Sequence, residues 1–151
     1  MSGFPTGVSV VTGTDRNGAP RGMTCSSMCS VSLTPPTLLV CLRDGSPTLD
    51  AIVTSGAFAV NLLHEGAQGT AELFASGDPL RFELLPWEVP PGAAGPHLTR
   101  DAHTVADCGV VLTQRVGDHV AVFGETRLIS RPQPRPPLLY GLREFRSWSR
   151  I

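Results

Sequence analysis

The sequence predicts a mainly β domain, an antiparallel barrel of roughly seven strands with two short helices at its rim. Glycine and proline recur throughout the 151 residues, 16 and 14 times respectively, and this frequency excludes a bundle of long helices. Hydrophobic residues make up 41% of the chain and are grouped in short runs between turn residues, as is typical of a β protein. We therefore expect one domain that spans residues 1–151.

The predicted strands are runs rich in β-branched or apolar residues. They cover residues 8–12, 21–32, 38–42, 57–63, 106–116, 120–130 and 138–140. Asn17-Gly18 and Gly117-Asp118-His119 predict tight hairpin turns between neighbouring strands. Because hairpins join many of these runs, we expect a mainly antiparallel sheet.

Two short helices and two irregular segments complete the pattern. Ser46 is a favourable N-cap and Pro47 suits a first helical position, so a helix is predicted to begin there. Apolar spacing predicts a second helix over residues 67–75. Residues 86–96 predict a long loop, either a lid over a site or a surface connection, and residues 131–137 predict a rigid proline-rich connector.

Charge and cysteine content exclude several functional classes. The 12 basic residues, all arginine, balance 13 acidic ones, so we expect neither a nucleic-acid partner nor a membrane surface partner. No signal peptide is visible and the longest aliphatic run, residues 38–42, is too short to span a bilayer, which predicts a cytoplasmic protein. The cysteines have no metal-site spacing and are expected to be reduced thiols rather than zinc ligands. They are Cys25, Cys29, Cys41 and Cys108.

The candidate site is a polar stretch that a core strand would not contain. Six of the eleven residues at 22–32 are glycine, serine or threonine, and buried hydroxyls would need partners. A second polar turn, residues 43–48, follows the next strand. Hydroxyls and free N–H groups at a helix N-terminus can hold a phosphate without lysine. Composition alone leaves two interpretations open: a groove for a phosphorylated ligand, or hydroxyl groups on an exposed strand face.

The order of the motifs resembles the flavin reductase-like, FMN-binding split-barrel family over nearly the whole chain. The motifs are Phe4-Pro5-Thr6-Gly7 followed by residues 8–12, Gly22-Met23-Thr24 followed by Ser26-Ser27, Ser30-Val31-Ser32-Leu33, Pro35-Pro36, Ser46-Pro47-Thr48-Leu49, residues 58–63, Gly117-Asp118-His119 and Pro137-Leu138-Leu139-Tyr140. The resemblance implies an antiparallel split β-barrel of Greek-key type. It also implies a homodimer that oxidises NADH or NADPH and releases reduced FMN or FAD to a partner flavin-dependent monooxygenase.

The resemblance also assigns site residues by position. Those expected to bind the flavin are Thr24, Cys25, Ser26, Ser27, Cys41, Leu42, Arg43, Ser46, Thr48, Arg81, Phe82, Tyr140 and Arg143. Cys41, Leu42 and Arg43 would act largely through backbone, and Ser46 and Thr48 would bind the phosphate. His119 is the candidate catalytic residue. It would orient the nicotinamide amide, bind the pyrophosphate or donate a proton near the flavin; the alternative is a turn histidine that faces solvent.

Two positions depart from the family pattern, and other functions compete with flavin reduction. Met28 stands where the family usually has Phe, and Pro47 where it often has Arg, which would remove one phosphate contact. The main alternative is a flavin-binding barrel without reductase turnover, either a non-redox pathway enzyme or a flavin-binding module. An enzyme of the pyridoxamine-phosphate-oxidase type is disfavoured because the chain has no lysine for a second phosphate substrate. The sequence leaves open FMN against FAD and NADH against NADPH.

Overall fold

The structure, a computed structural model, describes residues 1–148, which form ten strands and two helices. In chain order these are β1 (Thr6–Gly7), β2 (Ser9–Thr14), β3 (Pro20–Cys25), β4 (Met28–Leu33), β5 (Pro36–Arg43), α1 (Pro47–Ser55), β6 (Ala57–Leu63), α2 (Gln68–Ser76), β7 (Ala102–Val116), β8 (His119–Ser130), β9 (Leu138–Gly141) and β10 (Glu144–Ser147). No helix among residues 1–148 is both long enough and apolar enough to cross a bilayer.

Seven of the strands form one antiparallel sheet in the order β3-β2-β6-β7-β8-β5-β4, and β1, β9 and β10 form a small second sheet. β3 and β4 lie at opposite edges of the large sheet, yet only Ser26 and Ser27 separate them in the chain. The sheet must therefore curl until its two edges meet. The edges approach each other where Cys25 Sγ of β3 lies 3.8 Å from the Cys41 carbonyl oxygen of β5, the strand that pairs with β4. This is the predicted antiparallel split barrel with two helices.

The hydrophobic core has two main parts, one on each side of the curled sheet. The barrel interior is filled by side chains such as Val11, Leu42 and Phe58, and α1 adds Leu49 and Ile52 at one end. A second cluster lies between the outer face of the sheet and α2. It includes Val8, Val10, Leu63, Ala71, Phe74, Leu98 and Leu138. β2 belongs to both clusters because alternate residues of a strand point to opposite faces.

The helix ends follow from local sequence. The Ser46 hydroxyl accepts a hydrogen bond from the Leu49 N–H at 3.2 Å, and Pro47 occupies the first turn. Gly56 ends α1 with φ of 70°, a left-handed conformation that glycine adopts without a Cβ penalty. α2 ends in the same way at Gly77. Both predicted helices are present. The second was predicted over residues 67–75 and spans Gln68–Ser76, a shift of one residue at each end.

A buried amide fixes the long loop 86–96 to the sheet. The Asn61 side chain donates to the carbonyls of Val10 and Pro96, each at 3.2 Å, and accepts from the Leu98 N–H at 2.8 Å. The Thr12 hydroxyl also donates to the Pro96 carbonyl at 2.6 Å. Asn61 and Thr12 are both fully buried. The loop therefore packs on the outside of β2 and β6.

A second buried pair anchors the same loop to β7. His97 Nε2 lies 2.9 Å from Asp107 Oδ1, and the Ala94 N–H donates to the same oxygen at 2.7 Å. A Cβ on Gly95 would lie 2.7 Å from the Thr12 carbonyl oxygen, so only glycine allows this close approach. Of the two interpretations of the loop, a packed surface connection accounts for these contacts.

The fold differs from the sequence expectation in three places. Residues 21–32 form two strands rather than one, because the chain crosses between sheet edges at Ser26 and Ser27. β1 is a two-residue strand, too short to show a pattern in the sequence. β10 contains three polar residues and one aromatic, and among residues 1–148 it pairs with β9 alone. The hairpins at Asn17-Gly18 and at residues 117–119 are as predicted.

Replacement of Asn61 tests the anchor of the loop. We expect Asn61→Ala to lower the free energy of unfolding by about 2–3 kcal/mol, because it leaves the buried Leu98 N–H without its acceptor and removes the donor bonds to Val10 and Pro96. Urea denaturation measures the change. Gln114→Ala, which removes an exposed amide from β7, is the matched control and should change stability by less than about 0.5 kcal/mol. Equal effects of the two substitutions would contradict the anchor.

Candidate functional site

Three adjoining cavities meet at Ser26, where the chain crosses between the sheet edges. Their volumes are about 590, 510 and 260 Å³. Together we call them the Ser26 groove. Its walls include Phe4, Thr6, Thr24, Ser26, Ser27, Met28, Cys29, Leu39, Cys41, Glu72, Ala75, Ser76, Tyr140, Gly141 and Phe145. Five of the predicted flavin-binding residues are among them: Thr24, Ser26, Ser27, Cys41 and Tyr140.

Two hydroxyls of the groove are oriented by backbone carbonyls. The Thr24 hydroxyl donates to the Ala71 carbonyl of α2 at 2.6 Å, and the Ser27 hydroxyl donates to the Cys41 carbonyl at 3.1 Å. Each hydroxyl oxygen keeps lone pairs that can accept from a ligand N–H. The Ser26 side chain is exposed where the cavities join. The groove thus offers two oriented acceptors, at Thr24 and Ser27, and a further hydroxyl at the exposed Ser26.

Cys25 and Leu42 point away from the groove and into the barrel. Leu42 is fully buried, and Cys25 is 5% exposed with its sulfur 3.8 Å from the Cys41 carbonyl oxygen. Burial raises the pKa of the Cys25 thiol, so the group is a neutral thiol at neutral pH. Only the backbone of these two residues is available to a ligand, as the sequence interpretation expected for Leu42.

A second set of predicted residues lies beyond Cys41, at the end of β5. Cys41 and Arg43 share the outer face of the sheet, roughly 7 Å apart along the strand. Arg43 lies directly opposite His119 in the register of β5 and β8. Beyond them, the Asp44 N–H donates to the Asp118 carbonyl at 3.0 Å. These contacts tie the turn before α1 to the β7–β8 hairpin. Residues 43–48 line none of the three cavities, so the predicted phosphate end lies beyond the Ser26 groove, past Cys41 on β5.

The predicted phosphate-binding pair stands at that end. The Ser46 hydroxyl accepts from the Leu49 N–H, so its own proton remains free to donate to an anion. The Thr48 side chain is 2% exposed. Its backbone N–H belongs to the first turn of α1, where N–H groups have no partner within the helix. Pro47 has no N–H to contribute.

His119 is held in one tautomer by its neighbour in the chain. Its Nδ1 lies 2.9 Å from Asp118 Oδ1, and about half of its side chain is exposed. The hydrogen bond from His119, and to a lesser extent the charge of Arg43, lowers the pKa of Asp118. An ionised carboxylate only accepts, so Nδ1 carries a proton and donates it. Nε2 is left free for a ligand.

Arg81 and Phe82 lie at the other end of β3 and are used in packing. Arg81 donates from Nε to the Gly22 carbonyl at 3.0 Å and from a terminal nitrogen to the Asp78 carbonyl at 2.7 Å. Burial, with a further contribution from the Arg21 charge, lowers its pKa. The Phe82 ring meets Phe74 edge-on, with centroids 5.0 Å apart. Gly22 and Ser26 are four residues apart, roughly 13 Å along the strand, so this pair is separate from the Ser26 groove.

Tyr140 lies in the wall of the Ser26 groove, and Arg143 lies in the turn next to it. The Tyr140 ring lines two of the three cavities and packs on Phe145 with centroids 4.9 Å apart. Arg143 lies in the exposed turn between β9 and β10, in a left-handed conformation with φ of 65°. That turn follows Gly141 of the groove wall. Arg143 is therefore at the rim rather than in the wall.

Several wall residues were not among the predicted site residues. Phe4, Cys29 and Leu39 were missed, although Phe4 belongs to a motif that carried the resemblance. Met28 also lines the groove, where the sequence departs from the family pattern. Glu72 and its neighbours come from α2, which no site motif marked. Packing of separate segments, rather than a local motif, brings these residues to the site.

The walls fit a flat ring system with polar edges and a phosphate tail. Phe4, Met28, Leu39 and Tyr140 are apolar or aromatic, and the oriented hydroxyls lie between them, which suits an aromatic heterocycle. The Ser46 end offers hydroxyl and N–H donors to a phosphate. Residues 1–148 contain no group of three or more His, Cys, Asp or Glu side chains placed to hold a metal ion.

The chain is similar to known proteins over almost its whole length. The sequence profile described as flavin reductase like domain matches residues 1–149. A flavin reductase (NADPH) of Lentzea aerocolonigenes is 48% identical over 149 residues, which are 99% of this chain and 86% of that protein. A flavin reductase (NADH) of Kitasatospora aureofaciens is 41% identical over 151 residues, which are 98% of this chain and 78% of that protein.

Solved structures with this fold are also similar to the chain. One is the NADH:FAD oxidoreductase SgcE6 of Streptomyces globisporus in complex with NAD and FAD fragments, with a TM-score of 0.87, 32% identity and coverage of 96% of this chain and 86% of that one. Another is BorF, the flavin reductase component of a bacterial two-component tryptophan halogenase. Its TM-score is 0.85 and its identity 31%, and the match covers 97% of this chain and 92% of BorF.

Proposed function

Because this chain belongs to the flavin reductase like domain family, we propose that it is an NAD(P)H:flavin oxidoreductase that supplies reduced flavin to a partner monooxygenase. It takes a hydride from NADH or NADPH and transfers it to FMN or FAD. The observation that carries this function is the Ser26 groove, whose aromatic and hydroxyl walls fit the ring system of a flavin. The relatives named above are reductases for the same two classes of substrate.

The protein contributes binding and orientation, while the redox chemistry belongs to the two substrates. Hydride transfer requires that the nicotinamide and flavin rings stack at about 3–3.5 Å. Apolar groove walls at Met28, Leu39 and Tyr140 exclude water from such a stack. Thr24 and Ser27, each fixed to a backbone carbonyl, hold the polar edge of one ring in a single orientation. No strong acid–base pair is needed.

The phosphate end of the flavin belongs at the start of α1. Ser46 donates its hydroxyl proton there while its oxygen caps the helix. The Thr48 N–H is the second donor, and the exposed Arg43 guanidinium supplies positive charge. With Pro47 between the two donors, this is a modest phosphate site. Modest affinity suits a flavin that must leave after reduction, with a dissociation constant on the order of 1 μM.

An apolar row on the outside of the barrel supports a homodimer. Leu112, Phe123, Leu39 and Cys29 lie side by side across β7, β8, β5 and β4, all on the outer face. Leu112 is 54% exposed. Leu39 and Cys29 also line the Ser26 groove, so a second copy seated on the row would add a wall to the site.

A cytoplasmic location completes the proposal. The four cysteines are free thiols, and a reducing compartment keeps them so. The same compartment supplies NADH and NADPH. We place the single domain there, beside the oxygenase that consumes its product.

A steady-state assay that crosses both nicotinamides with both flavins tests the function. We expect oxidation of NADH or NADPH, followed at 340 nm, to require added flavin and to saturate with it at micromolar concentration. Tight flavin binding without turnover by any of the four pairs would instead identify a flavin-binding module. Wild-type protein denatured by heat is the blank.

His119 is tested by the split between nicotinamide turnover and flavin affinity. We expect His119→Ala to lower kcat/KM for the nicotinamide by about tenfold through the loss of one hydrogen bond, with flavin affinity unchanged in a fluorescence titration. Asp118→Asn keeps an acceptor for Nδ1–H and should retain more activity than Asp118→Ala. Wild-type kcat/KM in His119→Ala would mean that the histidine only faces solvent.

The dimer is tested by a charge placed in the apolar row. Leu112→Arg should convert a two-chain particle to a single chain in size-exclusion chromatography with light scattering, because an unpaired charge cannot be buried at the interface. Val89→Arg, on the loop across the barrel and similarly exposed at 52%, is the control and should remain dimeric. A wild-type chain that elutes as a monomer at all concentrations would refute the dimer.

A further inference from the structure

A separate cavity lies outside the Ser26 groove, over α1. Its volume is about 740 Å³. The floor is α1, with Pro47, Ala51 and Thr54 among the residues that face it. One wall is the β2–β3 hairpin and the other is formed by β7, β8 and the turn after β5. We call this the α1 cavity.

The α1 cavity begins where the proposed phosphate end stops. Asp44 and Pro47, which flank the turn that carries Ser46, both line it. A molecule whose phosphate rests on Ser46 and the Thr48 N–H would have this space directly beyond it. FMN ends at that phosphate and leaves the α1 cavity unused.

The walls combine three arginines with three aspartates. Arg16 and Arg21 come from the β2–β3 hairpin and Arg115 from β7, and the acids are Asp15, Asp44 and Asp50. Arg21 donates from Nε and a terminal nitrogen to Asp15 Oδ2 at 3.1 and 2.9 Å, and Arg115 pairs with Asp44. Because an arginine has five N–H groups, both guanidinium groups are held in place and still have donors to offer.

Apolar side chains and the uncharged polar residues Asn17, Thr54 and Thr113 form the rest of the lining. Leu49, Ala51 and Val53 of α1 and Val120 of β8 supply hydrocarbon surface, and Thr54 and Asp50 stand on the same helix as hydroxyl and carboxylate. A polyanion would meet as many acids as bases here. A nucleoside monophosphate matches better, since it has one phosphate for arginine, ribose hydroxyls for carboxylates and a purine for the apolar floor.

We propose that the α1 cavity is an adenylate-binding site. The inference rests on the proposed function, which supplies two molecules with an adenosine monophosphate half: FAD and the nicotinamide dinucleotides. The volume lies within the usual range for small-molecule sites, roughly 300–1,000 Å³. The site makes the chain select dinucleotide over mononucleotide for whichever of the two substrates places its adenylate there.

Binding of AMP to the chain of residues 1–151 tests the site without any turnover. We expect AMP to bind in isothermal titration calorimetry, and Arg16→Ala and Arg115→Ala each to weaken it by about three- to tenfold. Arg131→Ala, an exposed arginine at the far end of β8, is the control and should bind AMP as the wild type does. No AMP binding up to millimolar concentration, or equal loss in all three variants, would overturn the proposal.

Two further arms identify the source of the adenylate. FMN and FAD affinities are compared by flavin fluorescence, and KM values of NADH and reduced nicotinamide mononucleotide are compared by turnover. If the flavin provides it, Arg16→Ala weakens FAD and not FMN; if the nicotinamide does, the same variant raises KM for NADH alone. If neither comparison changes, the cavity does not serve the substrates and the inference fails.

The outcomes separate this inference from the proposed function. Arginine-dependent AMP binding by a chain that binds no flavin would support the site and refute the reductase. Flavin-dependent NADH oxidation with equal affinity for FMN and FAD, and with no AMP binding, would support the reductase and refute the site. Arg115→Ala also removes the partner of Asp44 beside the phosphate end, so an effect confined to Arg115 and shared by FMN would count against an adenylate site.

Discussion

The fold depends on a two-residue connection between strands that lie at opposite edges of one sheet. Ser26 and Ser27 join β3 to β4, and a seven-stranded sheet can satisfy that link only by curling until the edges meet. β3 approaches the opposite edge where the Cys25 sulfur lies 3.8 Å from the Cys41 carbonyl oxygen of β5. The crossing residues cannot pack inside the barrel, so their hydroxyls come to line a groove. The groove is thus a consequence of closure.

Strand alternation then decides which predicted residues can face a ligand. Thr24 points out of the barrel to α2, whereas Cys25 beside it is buried in the core. On β5, Cys41 and Arg43 face outward and Leu42 is fully buried between them. A run of consecutive site residues therefore has two kinds of members, those that act through side chains and those that act through backbone.

Much of the fold and part of the groove wall were predictable because their signals are local. The hairpins at Asn17-Gly18 and residues 117–119 and the cap at Ser46 depend on residues adjacent in sequence. The break of residues 21–32 into two strands was not predictable, because the sheet edges that force it form from distant segments. The groove walls at Phe4 and Glu72 were missed for the same reason. Arg81 and Phe82 matched a motif, but in this chain their contacts are with β3 and α2.

Beyond the groove, direct contacts join the turn after β5 to the β7–β8 hairpin. The Asp44 N–H binds the Asp118 carbonyl, Arg115 pairs with Asp44, and Arg43 lies opposite His119. The turn that precedes Ser46 and the hairpin that carries His119 therefore cannot move independently. A ligand phosphate held at Ser46 and a nicotinamide held at His119 would be fixed relative to each other by these contacts, while the hydroxyl groove fixes the ring between them. Rigid placement with few charged contacts gives orientation without tight retention, which is what a carrier of reduced flavin requires.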